Sequence, residues 1–216
     1  MMISDVKKQS HDYEKIATSW HESSHIICGL FNYIKISNVS MSPETNEGTT
    51  DYLLFDTSNI QDHDLLVIIL MQELQTLYGG LSGERIYYKE ICGSDKFPMH
   101  LRRGSAIDIA MAADLIRKGK LAEPGKHTYL LKKQIQYNAS QILKEHWDGV
   151  KIVAHTLYKK KKLSFDELKS ILTKKTNHND FWKERFKKIK LLHNEKNIPS
   201  EIYIKEAILE DTIYTI

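Results

Sequence analysis

The chain has 216 residues, 41% hydrophobic and 27% charged, proportions of an ordinary globular protein that exclude a disordered or fibrous chain. Its length suits one main domain with room for an appendage. A net charge of +3 gives no case for nucleic acid or anionic lipid as the main partner. The longest unbroken apolar run, Leu65 to Met71, is far below the roughly 20 residues of a bilayer span.

The first twenty residues are polar and mixed in charge, without the apolar stretch of a secretory signal, so a cytoplasmic location is expected. Cys28 and Cys92 do not form a CxxC pair, and a chain with a normal core needs no disulfide staple, so both read as reduced thiols.

Apolar residues at helical intervals predict a helix from Tyr13 that ends near Gly29. Ile34, Ile36, Val39 and Met41 alternate with polar residues, 43–50 is turn-like, and an apolar run follows from Tyr52 to Phe55, which predicts a hairpin or small sheet. Asp64 to Tyr78 reads as a helix broken at Gly79 and Gly80 and resumed from Leu81 to Tyr88, either kinked or two short helices. A polar loop from Cys92 to Gly104 leads to Ser105, a candidate N-cap for a helix from Ala106 to Arg117. Leu130 to Lys161 reads as one long helix. Ser164 and Glu167 have the spacing of a capping box for a short helix through Leu172, so an αα-hairpin is expected. Beyond Thr173 the chain is lysine-rich and then slightly acidic, which predicts an appended helical extension over 173–216. The fold class is thus mainly α with a small β element.

The chemistry lies in His21-Glu22-Ser23-Ser24-His25, an HExxH motif inside the first predicted helix. Residues four apart on a helix are offset by only about 40° and about 6 Å, so His21 and His25 present two imidazoles on one face, able to share a zinc ion. Glu22, about 100° around from His21, stands beside the metal without binding it, the place of a general base for a water that zinc activates. A catalytic zinc needs a third protein ligand, which the spacing alone leaves open. No histidine follows in the metzincin pattern, and the next one is His63. Cys28, seven residues after His21, shares the face and is a geometric candidate, with core packing as the competing explanation.

Two further strings follow in order, YGGLSGERI from Tyr78 to Ile86 and GSAIDIAMAADLIR from Gly104 to Arg117. With HESSH they resemble the peptidase domain of FtsH-type zinc metalloproteases, whose pattern is HEAGH, then GGRxAEE, then GASNDI. The resemblance covers roughly residues 10–172 and implies a helical zincin domain over 1–172. It implies that Asp108, which read alone is an aspartate favouring a helix dipole, is the third zinc ligand. Glu84 matches the first glutamate of GGRxAEE and reads either as a hydrogen-bond acceptor for a ligand histidine or as half of an ion pair.

The departures are Ser23 and Ser24 for Ala and Gly of HEAGH, Ala106 and Ile107 for Ser and Asn of GASNDI, and Arg85 for the second glutamate. None removes a ligand or the base, although Ser24 is expected to crowd a neighbouring helix. No P-loop is present, whereas family members feed their peptidase through an attached ATPase ring. The expected activity is zinc-dependent hydrolysis of peptide bonds in a polypeptide substrate, unstructured or delivered by a separate unfoldase or adaptor. A homo-oligomer also fits the family. The alternative is a catalytically degenerate binding or regulatory module. Nucleic-acid contact through the lysines between Tyr158 and Lys190 ranks lower, because Asp166, Glu167, Asp180 and Glu184 interrupt them.

Overall fold

Helix α1 (Ile3–Phe31) continues past Gly29, where the sequence reading ends it. Ile34 donates its amide to the Gly29 carbonyl (2.8 Å), and the left-handed residue that turns the chain is Tyr33, at φ 61°. This conformation costs a non-glycine residue about 1 kcal/mol or more. It is held by burial of the Tyr33 ring under the Arg185 guanidinium, 3.8 Å from the ring centre. Gly29 serves close approach instead, since a Cβ there would lie 3.0 Å from Ile36 Cδ1 and 3.3 Å from Thr76 Cγ2.

The computed structural model describes residues 3–42, 44–45, 47–58, 60–93, 103–193 and 201–209. After α1 come strands β1 (Lys35–Met41) and β2 (Gly48–Leu53) and helices α2 (His63–Cys92), α3 (Arg103–Lys118), α4 (Lys126–Glu145) and α5 (Trp147–Lys160). Strand β3 (Lys162–Ser164) and helices α6 (Phe165–Lys175), α7 (Asn179–Leu192) and α8 (Glu201–Leu209) complete the order. The protein is mainly helical with a small antiparallel sheet, as its sequence predicts.

The sheet runs β2-β1-β3, which leaves β2 and β3 as edges. A bulge between Ile36 and Asn38 inserts one residue into β1. It explains why the inward residues Ile36, Val39 and Met41 are spaced by three and then two while all are buried. Strand β3 escapes sequence reading because it is three residues long, with Leu163 as its single apolar side chain among lysines.

Of the two alternatives at Gly79 and Gly80, one helix or two, α2 is a single helix that continues through both glycines. The two glycines forgo roughly 1 kcal/mol each of helix propensity, and in return let α1 come against α2. A Cβ on Gly79 would lie 3.0 Å from both Cys28 Sγ and the Ser24 carbonyl. By length and composition α2 could cross a membrane, yet 72% of its apolar stretch is buried inside the fold. Its apolarity is accounted for by α1, α3 and α4, which pack around it.

The single helix expected from Leu130 to Lys161 is two. The break falls at His146, which ends α4 and precedes α5. Neither proline nor glycine marks the place. The His146 ring stacks on Phe181 (4.7 Å) and lies 5.6 Å from Phe31, so tertiary packing sets the break. The capping box of Ser164 and Glu167 forms as expected and opens α6.

A boundary after Leu172 falls inside α6. Trp182, Phe186, Ile189 and Leu192 of α7 and Ile204, Ala207 and Ile208 of α8 belong to the same hydrophobic core as α1 and α2. α8 is tied to the start of α2, where Lys205 Nζ meets Asp62 Oδ2 at 2.6 Å and Glu201 accepts the amides of Gln61 and Asp62.

Candidate metal centre

His21 and His25 lie on the buried face of α1, 5% and 2% exposed, and their rings meet edge to face with centres 4.5 Å apart. Their Nε2 atoms are 2.8 Å from each other. Asp108 Oδ2, carried by α3, is 3.1 Å from the first and 3.2 Å from the second. Three atoms capable of binding a cation, 87 residues apart in sequence at the extreme, therefore converge on one point. Asp108 sits in the second turn of α3, because that helix begins at Arg103. Ser105 is inside the helix and not its cap, and its buried hydroxyl has no hydrogen-bond partner among the described residues.

The outer nitrogens fix what the inner ones can do. His25 Nδ1 lies 2.8 Å from the Thr76 carbonyl, which can only accept, so that nitrogen carries the hydrogen. His21 Nδ1 lies 2.7 Å from Glu84 Oε1, a carboxylate that likewise accepts. With both Nδ1 atoms protonated, two neutral imidazoles present Nε2 lone pairs to each other and to a carboxylate oxygen. Such an arrangement is repulsive unless a cation stands among the three atoms. Two imidazole nitrogens and one carboxylate oxygen, each outer nitrogen held by an acceptor, are a donor set that can hold a metal ion.

Without a metal the cation must be a proton. Burial alone would lower the basicity of His21, but the hydrogen bonds it donates to Asp108 and Glu84 outweigh it and raise the imidazole to about 10. Burial would likewise raise the Asp108 carboxyl, and the two histidines instead hold it well below the usual carboxylate range. Metal and proton thus compete for one place.

α2 leaves the room this cluster needs. A Cβ on Gly80 would overlap both imidazoles, at 2.6 Å from His21 Nε2. A Cβ on Gly83 would overlap the Ser24 hydroxyl, which is itself hydrogen-bonded to the Trp20 carbonyl at 2.7 Å. The crowding expected from Ser24 is therefore absorbed by Gly83, at the place where the GGRxAEE pattern carries alanine.

Glu22 is 5% exposed and faces β2, where its Oε2 accepts a 2.6 Å hydrogen bond from Thr50 Oγ1. Gly48 leaves space for it, since a Cβ there would lie 2.5 Å from Glu22 Oε1. Tyr52, also on β2, turns its ring edge to His25 with centres 6.2 Å apart. Burial, with Glu22 and Asp108 nearby, holds its phenol well above the usual value. Thr50, Tyr52 and Thr76 have no sequence signal of their own, because strand register and helix packing deliver them. Cys28 lies apart from the cluster. Its thiol is directed toward the Ala139 carbonyl, 3.9 Å away, and burial pushes its ionisation upward, as for a core residue.

No protein-family model matches the chain, and no curated protein matches it.

Proposed function

We propose that the chain is a zinc-dependent metallopeptidase in which His21, His25 and Asp108 hold the metal and Glu22 is the general base. The observation that carries this reading is the meeting of two Nε2 lone pairs with Asp108 Oδ2 beside the Glu22 carboxylate. Two nitrogens and one oxygen are the ligand types of catalytic zinc sites, which keep a fourth position open. Zinc, when bound, would supply Lewis acidity, polarising the scissile carbonyl and bringing the pKa of water to about 7.

The chain's own residues would do the rest. Glu84 and the Thr76 carbonyl fix the tautomers of His21 and His25. Glu22 takes the proton of the attacking water and returns it to the departing amine. Thr50 steadies one oxygen of Glu22 and leaves the other to work. Strand β2, an edge of the sheet and the carrier of Thr50, offers unpaired backbone groups to an extended peptide, which favours a polypeptide as substrate. The substrate is then an unstructured segment or one delivered by a separate unfoldase, and a homo-oligomer remains compatible with this chemistry.

The test is zinc content by elemental analysis together with casein hydrolysis for the wild type, Glu22→Gln and Asp108→Ala. One zinc per chain with cleavage, zinc without cleavage in Glu22→Gln, and loss of zinc in Asp108→Ala are expected. Zinc without hydrolysis of unstructured peptides in the wild type would favour a binding module. A wild type that takes up no zinc defeats the reading.

A further inference from the structure

A cavity of about 500 Å³ opens between the end of α1, the middle of α2 and the C-terminal half of α4. Its lining includes Phe31, Gln75, Tyr137, Asn138 and Gln141, and neither metal ligands nor Glu22 take part. That volume lies within the range of about 300–1,000 Å³ typical of small-molecule sites.

Gln75 is the residue that demands explanation. It is fully buried, and neither its Oε1 nor its Nε2 has a hydrogen-bond partner among the described residues. Its neighbours on α2, Leu74 and Thr76, are buried too. A leucine at 75 would fill the same space with no polar atom to satisfy. Leaving a primary amide dry costs on the order of a few kcal/mol, and a partner that comes from the cavity reaches this amide only by parting the side chains that now close over it. Asn138, 8% exposed, already uses its Oδ1 to accept from Gln134 Nε2, which leaves its amide hydrogens to give. Gln75 and Asn138 together therefore offer one acceptor and two donors, beside the aromatic rings of Phe31 and Tyr137.

We propose that this cavity is a binding site for a small, neutral, planar molecule with an amide- or imide-type edge. Such an edge carries carbonyl oxygens flanking an N–H, the complement of the groups that Gln75 and Asn138 present. A flat ring suits the aromatic walls. The site does not depend on the metal centre or on peptidase activity.

Uracil serves as the probe, with 1,3-dimethyluracil as the control that keeps both carbonyls and loses the N–H. The full chain is labelled with ¹⁵N, and the Gln75 side-chain amide resonances are identified by their loss in Gln75→Leu. Uracil at millimolar concentration should move those resonances saturably. The dimethylated control should bind at least about tenfold more weakly, as expected for a lost hydrogen bond. Tyr137→Ala, at a side chain already 59% exposed, should weaken uracil without changing the melting temperature. The proposal is overturned if uracil, benzamide and nicotinamide all leave the resonances in place, or if the control binds as well as uracil. It is equally overturned if the Gln75 amide shows transfer to a long-lived water that no probe displaces, which would make the cavity a hydration site.

Discussion

The hydroxyl of Ser24 on α1 stands where residue 83 of α2 would carry its first side-chain carbon. The two positions are a matched pair, small on one helix because the other is larger.

Gly83→Ala should therefore cost about 1–3 kcal/mol from overpacking, although alanine is the better helix former. Ser24→Gly in the same chain should recover most of it, because the clash has a single partner. Urea unfolding of the four members of this cycle gives the coupling directly. Additive losses would mean that the helices separate by some other adjustment.

Gly80→Ala should act on the metal centre and spare the fold. The new methyl meets the ends of two imidazoles, which can swing aside only by giving up their convergence. Zinc affinity should fall by well over an order of magnitude, whereas the melting temperature of chelator-treated protein should stay within a few degrees. Undiminished zinc in the variant would show that the two imidazoles do not need this space.

Glu84→Gln keeps the shape of the side chain and removes the charge that holds the His21 Nδ1 hydrogen. Loss of such an outer partner typically weakens a metal by about 10–100-fold. Competition with a chelator of known affinity measures the change, and circular dichroism should be indistinguishable from that of the wild type.

His146 makes stability depend on pH. Burial, with His178 and Arg185 close by, brings its imidazole from the usual 6.5 down to about 4, and neither ring nitrogen has a hydrogen-bond partner among the described residues. The unfolded chain takes up a proton below pH 6.5 and the folded one only near pH 4. Stability is therefore whole above pH 6.5 and falls by about 3 kcal/mol as pH drops to 4. His146→Phe, which keeps the stacking on Phe181, should flatten that slope in thermal melts between pH 4 and 7. Glu73 works in the opposite sense. Burial raises its carboxyl from 4.5 to about 7, so its contribution is whole below pH 4.5 and is lost as pH rises through 7. Glu73→Gln should remove that second slope.

What could be read from the sequence follows a physical divide. Local rules sufficed where a short stretch states its own geometry, as in the i, i+4 spacing of His21 and His25 or the capping box of Ser164 and Glu167. They failed where a distant contact sets the outcome. Gly79 and Gly80 look like breakers because propensity is a local quantity, yet their use is to admit α1. His146 carries no breaker at all, and the aromatic residues that end α4 there include Phe181, 35 positions on. Asp108 could be named only through a resemblance, since nothing within α3 tells an aspartate that its partners lie 83 and 87 residues back. Thr50, Tyr52 and Thr76 were missed because a threonine or a tyrosine states its role only through what it faces.

The Thr76 carbonyl that takes the His25 hydrogen is also, by helix geometry, the acceptor for the amide of residue 80, and residue 80 is the glycine that makes room for both imidazoles. One turn of α2 thus anchors one ligand, accommodates two and, through Glu84 one turn later, anchors the other. A helix of 30 residues is a rod of about 45 Å, and this one is pinned at its far end by Glu201 and Lys205 of α8. Any axial slip of that rod would undo the anchor of His25, the clearance for both rings and the anchor of His21 together. The three supports of the centre therefore share one helix, whose start is the part that α8 holds.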